Sequence, residues 1–385
     1  HAAIYWREEN QRMKKGVLVR SKRILLTFFA ALLGLLTLFS YHNYAWYEEP
    51  IAKITAAEAV GTDETIGAGQ ENYPIYNQKL TAVLMNGESK GTQVVIENNY
   101  SDSLAYSQMY RSGDEVFLSL SERASGTLTG KISGIKRDKY VVLFGSLFLF
   151  VLVAVAGKKG LLSLVSIAGN ILLFNIALDS YEIADNAQLL WISSAAVIGW
   201  TVLTLLLVSG RNRKTYAAIL STLIGTFLTL IIAYGVIAGT NGQGLRYEEM
   251  QFVTHYPRRI FLSSILIGSL GAVMDVAITM TAAIQELYEK DPAISAKALF
   301  QSGREIGKDI MGTMANVLLF AYVSGAIPTL VFYLENGSDV FHTFSMQLSL
   351  EITRALAGSL GIVLTVPLAM LTAVRLIPKK AGDRR

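Results

Sequence analysis

Eight apolar runs divide this chain, at about 24–41, 140–156, 161–178, 189–208, 216–238, 260–287, 310–334 and 352–374. The hydrocarbon core of a bilayer is about 30 Å thick, and a helix needs roughly 20 apolar residues to cross it. Runs of this length and number do not suit a soluble core. Composition agrees, since only 17% of the 385 residues are charged, where a soluble protein carries about 25%. The sequence therefore predicts an α-helical polytopic membrane protein with about eight transmembrane helices.

Loop charge sets the orientation. With the N-terminus in the cytoplasm, five inside segments carry Lys or Arg: the basic segment 1–23, GKKG at 157–160, GRNRK at 210–214, the loop 288–309 and the tail 375–385. The outside loops DSYEIADNAQ (179–188) and ENGSDVFHTFSMQ (335–347) carry none. Basic residues concentrate on the cytoplasmic side of membrane proteins, so both termini are expected in the cytoplasm. One outside loop, 239–259, breaks the pattern with Arg246, Arg258 and Arg259. The run 24–41 follows a basic segment and leads into HNYAWYEEP without a small-x-small cleavage site. It reads as an uncleaved signal-anchor helix, with cleavage the alternative.

Residues 42–139 differ in character. LTAVLMN (80–86) and TQVVIEN (92–98) flank the turn formers GESKG, which is a hairpin pattern. EVFLSLSE (115–122), GTLTGKISGI (126–135) and KITAAEAVG (53–61) add further strand-like runs, whereas TDETIGAGQENYP (62–74) has no apolar period and is expected to be a loop. Four or five short strands suit a small extracytoplasmic all-β domain, OB-like or SH3-like. No aromatic platform interleaved with basic residues accompanies it, so no nucleic-acid partner is expected. The remaining 140–374 form a seven-helix domain.

Asp275 interrupts the sixth run, IFLSSILIGSLGAVMDVAITMTAAIQEL. A central Asp costs roughly 2.5–3.5 kcal/mol on the mildest insertion scales, and such residues normally face a bundle interior or a water-filled path. Gly268, Gly271, Asp275, Thr279, Ala282 and Glu286 recur at three and four and share one helix face. That small, polar face is expected to pack against other helices. Asp309, Gly312 and Asn316 form a second such face, and Glu351, Arg354, Gly358, Gly361 and Thr365 a third. Asn170 and Asn175 lie in the third run. Glu351 and Arg354 are spaced to pair within one helix near the outer surface. No cation is expected at the depth of Asp275.

Each feature also has a plainer reading. The Gly and Thr faces serve helix packing, Asn170 and Asn316 are interhelical hydrogen-bonding groups, Glu286, Lys308 and Asp309 are interfacial charges, and Asp275 is protonated or paired. No catalytic constellation appears: there is no HExxH, Walker-type loop or GxSxG, and Asp275 and Asp309 lack the flanking signatures of an intramembrane aspartyl protease. Cys is absent, which excludes disulfides and thiolate metal sites. Neither a cofactor, a metal nor an enzymatic activity is expected.

The run GSLGAVMDVAITMTAAIQEL (268–287) and the following ALFQSGREIGKDIMGTMANVLLFAYVSGAIPTL (298–330) resemble the YibE/F-like family of bacterial multi-pass membrane proteins. The likeness extends beyond residue 140 and, more weakly, through the β domain. It implies a membrane protein and supplies no activity, substrate or catalytic residue. Asp275, Asp309, Gly312 and Asn316 fall in the stretches that carry it.

Two functions are expected. One is a transporter or permease, in which Asp275 binds a proton or cation and Thr279, Asn316 and Asn170 act as neutral ligands for a small ion or solute. Gly268, Gly271, Gly312, Gly358, Gly361 and Asp309 would support the path. The other is a non-transporting scaffold whose β domain recruits an envelope or secretion partner. A homologous membrane chain or a second copy is a further candidate partner, alongside the lipid bilayer.

Overall fold

A computed structural model describes residues 26–66, 72–101, 108–122, 128–183, 188–250 and 256–376. The basic N-terminal segment, most of the C-terminal tail and the centre of the expected loop 62–74 lie outside them. The chain divides into two compact units, His1–Gly160 and Leu161–Arg385.

In the first unit, helix α1 (Leu26–Ser40) leads through a 3-10 turn at Tyr44–Trp46 into five strands. These are β1 (Ile51–Ile66), β2 (Asn72–Leu84), β3 (Gln93–Ser101), β4 (Glu115–Glu122) and β5 (Leu128–Ile135), followed by helix α2 (Asp138–Ala156). The strands close into a barrel in the order β1-β2-β3-β5-β4. All pairings are antiparallel except β3 with β5. This is the OB-like alternative of the two expected.

Side chains on a strand alternate between its faces. Ala52 and Ile54, Leu80, Ala82 and Leu84, Val94 and Ile96, and Val116 and Leu118 point every second residue into one core. The β2–β3 turn falls on the expected GESKG, with Gly87 and Gly91 at positive φ. Residues 62–66 and 72–74, expected as loop, are instead paired strand, with Thr62 opposite Tyr76 and Asp63 opposite Ile75. Register shifts at Ile54/Ala56 and Ala59/Gly61 interrupt the alternation in β1. Backbone pairing sustains the arm without a core-facing apolar row, so periodicity could not reveal it.

A buried ionic knot joins the barrel to α1 and α2. Lys136 is 1% exposed. Its Nζ donates to the Ser40 carbonyl of α1 at 2.9 Å and to both Asp138 oxygens at 2.9 and 3.0 Å. Glu115 of β4 lies 3.7 Å from the same ammonium and accepts from the Tyr44 hydroxyl at 2.8 Å. Asp138 also accepts from Asn43 at 2.8 Å and Tyr47 at 3.1 Å. Burial, and then the hydrogen bond to Glu115, push the Tyr44 hydroxyl up to about 12.

The second unit takes all but the first three residues of α3 (Lys158–Ile183), with α4 (Leu189–Ser209), α5 (Arg213–Gly239), α6 (Pro257–Lys290), α7 (Ala296–Glu335), α8 (Val340–Gln347) and α9 (Ser349–Leu376). With α2, seven helices among the described residues are long and apolar enough to cross a membrane. Expected run and observed helix agree closely for α4 and α5. Helix α7 starts at Ala296, well before the run expected at 310, because Ser295 caps it by accepting from the Ala298 N–H at 3.2 Å.

Helices α5, α6 and α9 form the core, with α7 against α9 and α4 against α6. Small residues allow the close approach. A Cβ on Gly361 would sit 2.6 Å from Thr229 Oγ1, one on Gly358 would meet Leu318 at 2.9 Å, and one on Gly225 would overlap Thr365.

Candidate functional site

Ser166, Asn170 and Phe174 recur every four residues on α3 and so share one stripe. That stripe attaches α3 to α4. Asn170 Nδ2 donates to Thr204 Oγ1 at 2.8 Å, and Ser166 donates to the same hydroxyl at 3.2 Å. Trp200 Nε1 donates to the Asn170 carbonyl at 3.1 Å, and Phe174 stacks on the Trp200 ring at 6.2 Å. Elsewhere α3 shows exposed Ile167, Ile171 and Leu172.

A groove of about 370 Å³ opens between α3, α4 and α6, lined in part by Asn170, Phe174, Trp200, Thr204, Gly271 and Met274. Its walls are mainly apolar. Asn170 is part of that lining, and its amide oxygen is buried with no hydrogen-bond donor among the described residues. An amide whose nitrogen is fixed and whose oxygen is free is an acceptor held ready for a cation, hydroxyl or N–H.

Asp275 stands one helical turn beyond Gly271 on α6, outside the groove lining. Gly271, Asp275 and Thr279 are all exposed, whereas Ser269, Val273, Val276, Ala277 and Met280 are buried in the core. Among the described residues, no hydrogen bond or ion pair engages the Asp275 carboxylate. The expectation that this whole face packs against other helices is therefore corrected. Gly268 does meet a neighbour, the Tyr322 hydroxyl of α7, but nothing lies within 4 Å of a Cβ on Gly271. The reason is the position of α7. It reaches α6 at Gly268 through Tyr322 and again at Ile284 through Gly303, and the turns around Asp275 stay open.

On α7, Asp309, Gly312 and Asn316 are exposed, and Gly312 likewise has no close neighbour. The buried face of that helix carries Gly303, Gly307 and Leu318 instead. No hydrogen bond joins Asn316 to Asp275, Thr279 or Asn170 among the described residues. The structure thus gathers Asn170 and Gly271 in one groove, with Asp275 and Thr279 on the next turns. Asn316, Asp309 and Gly312 stay on a separate helix face, and Gly358 and Gly361 serve the α9 packing.

One polar cluster was only half visible in sequence. Arg354 pairs with Glu351 at 2.5 Å within α9, as their spacing implies. Its Nε also donates to Ser264 of α6 at 3.2 Å, and its guanidinium lies 5.6 Å from the Phe261 ring centre and 5.4 Å from that of Tyr322. The side chain is 17% exposed, so this cation is embedded among α6, α7 and α9. The Glu-x-x-Arg spacing signalled the pair, while its aromatic partners come from distant helices. Ser264 and Asp275 are separated by about 16 Å at 1.5 Å per residue, so Arg354 is not a counter-ion for Asp275.

Residues 144–379 match the model of the YibE/F-like protein family, and residues 45–135 match the YibE/F family N-terminal domain. The chain belongs to the YibE/F-like family. No curated protein and no solved structure matches it significantly.

Proposed function

We propose that this YibE/F-like protein is a permease of the bacterial cell membrane, with Asp275 as its proton- or cation-binding carboxylate. The observation that carries the reading is an unpaired carboxylate midway along an apolar helix, one turn from a groove that holds an unsatisfied amide oxygen. A carboxylate in that setting is costly unless it is neutralised. A proton or a bound cation supplies the neutralisation, and exchange of that charge is the coupling step. Asn170 Oδ1 and the Thr204 hydroxyl are the neutral groups that would receive a small ion or polar solute, and Thr279 adds a hydroxyl one turn past Asp275. Asn316 would join only with a displacement of α7. The distribution of Lys and Arg supports cytoplasmic termini and an extracytoplasmic barrel.

Proteoliposomes loaded with a pH-sensitive dye test this reading under imposed Na⁺ or K⁺ gradients. The wild-type chain should move protons and Asp275→Asn should not. Equal flux in both, or none in either, would sink the proposal.

A second reading is a scaffold whose barrel recruits an envelope partner. The Lys136 knot favours it, because it makes the barrel one body with α1 and α2. In that reading Asp309, Gly312 and Asn316 on α7 meet a second membrane chain. Deleting 42–139 should then abolish all function, whereas a permease would keep residual flux.

A further inference from the structure

The loop 239–259 is the exception to the charge pattern, and its arginines acquire a local explanation in the fold. Arg258 sits at the start of α6, where no acidic residue occupies the first turn and no side chain caps the helix. Its Nε and Nη2 are both buried, and neither has an acceptor among the described residues. These two nitrogens form one edge of the guanidinium, the edge that presents two parallel N–H groups to a single oxyanion.

Among the described residues, Arg258 has an aromatic neighbour and no ion-pair partner. The Tyr234 ring of α5 lies 5.3 Å from the Arg258 guanidinium. The Tyr247 hydroxyl is buried without a partner. Its ring packs edge-on against Phe261 at 5.9 Å, one turn along α6 from Arg258, and burial pushes the hydroxyl up. The acidic groups of the loop are engaged elsewhere: Glu249 accepts from Gln347, and Glu248 pairs with Arg246 at 3.5 Å. Next to Arg258, Arg259 stacks on Tyr256 at 4.9 Å. Tyr234 and Tyr256 are both more than half exposed, which suits aromatic side chains at headgroup level.

A buried guanidinium edge without an acceptor is expensive, since a charged donor left unsatisfied forfeits its full desolvation cost. We propose that Arg258 and Tyr247 form a binding site for a phosphate-type oxyanion, with two oxygens on the Nε/Nη2 edge of Arg258 and a third hydrogen bond from the Tyr247 hydroxyl. The anion is a phospholipid headgroup or a free phosphate. The shape of the guanidinium edge sets the specificity, and the positive end of α6 adds to the attraction.

Thermal unfolding of the full-length protein in detergent tests the site, titrated separately with phosphatidylglycerol, phosphatidylcholine and inorganic phosphate. Saturable stabilisation of the wild type is expected. Stabilisation by lipid alone identifies a headgroup, and stabilisation by inorganic phosphate identifies a solute. Arg258→Lys keeps the charge but loses the paired edge, and should weaken the midpoint at least tenfold. Tyr247→Phe should weaken it about threefold, and Arg259→Gln should leave it unchanged. Arg258→Gln should abolish the stabilisation, and if that variant does not fold, Arg258→Lys carries the test. The proposal is overturned if no phosphate-bearing probe stabilises the wild type. It is equally overturned if Arg258→Lys binds like the wild type, or if Arg259→Gln loses binding as fully as Arg258→Lys does.

Discussion

Asn170 donates its amide N–H to the Thr204 hydroxyl at 2.8 Å and leaves its own amide oxygen buried and unpartnered. One residue thus holds α3 against α4 and furnishes an acceptor in the groove beside α6. Attachment and binding are separable in principle, because they use opposite ends of the same amide.

Thr204→Val removes the acceptor for both Asn170 and Ser166. Interhelical hydrogen bonds in membrane proteins average about 0.6 kcal/mol and reach about 1.7. The variant should lose stability in that range when unfolded in mixed micelles. A loss near zero would mean that the aromatic stack and the Trp200 hydrogen bond to the Asn170 carbonyl suffice to hold α3.

Among the described residues, Asp275 has no partner to lose. Asp275→Asn should therefore leave stability within about 0.5 kcal/mol of the wild type, as for a surface change. Combined with a loss of flux, this would separate a functional carboxylate from a structural one. A marked drop in melting temperature would instead reveal a structural contact.

Lys136→Met leaves Glu115 and Asp138 without their shared cation. Removing one member of a buried ion pair costs about 3–5 kcal/mol. Denaturation of the full chain, followed by tryptophan fluorescence, should show a loss of that order. Lys53→Met, on the exposed face of β1, should show almost none.

The Tyr44 hydroxyl has its folded value raised from 10 to about 12. A raised value means that the neutral form is favoured by the fold. Its contribution is fully present below pH 10 and is lost as pH rises through about 12. Tyr44→Phe should flatten the alkaline part of the stability curve between those limits, at the cost of the hydrogen bond to Glu115.

The glycines divide into two groups. Gly225→Val and Gly361→Val place methyl groups onto Thr365 and Thr229, and overpacking of this kind costs about 1–3 kcal/mol. Gly312→Ala meets open space and should be neutral or slightly stabilising, given the helix propensity of Ala. Thermal melts of the three variants in one detergent check the contrast.

Much of this architecture was legible from residues alone. Run length and loop charge are properties of contiguous segments, so the membrane helices, the β segment and the hairpin turn at 87–91 could be read directly. Capping extended α7 beyond its apolar run, and backbone pairing extended β1 and β2 into the expected loop. Both extensions rest on hydrogen bonds that leave no hydropathy signal.

The site was legible only in part. Periodicity showed that Gly268, Gly271, Asp275 and Thr279 share a face of α6, because a helix has a fixed pitch. It could not show what stands opposite that face, since this depends on where α3, α4 and α7 come to rest. Long-range packing covered Gly268 with Tyr322, set Gly271 in the groove with Asn170, and left Asp275 open. The same packing buried Lys136 between two carboxylates and Arg258 beneath no acceptor. Those environments exist only once segments far apart in the chain have met, so a linear pattern carries no trace of them.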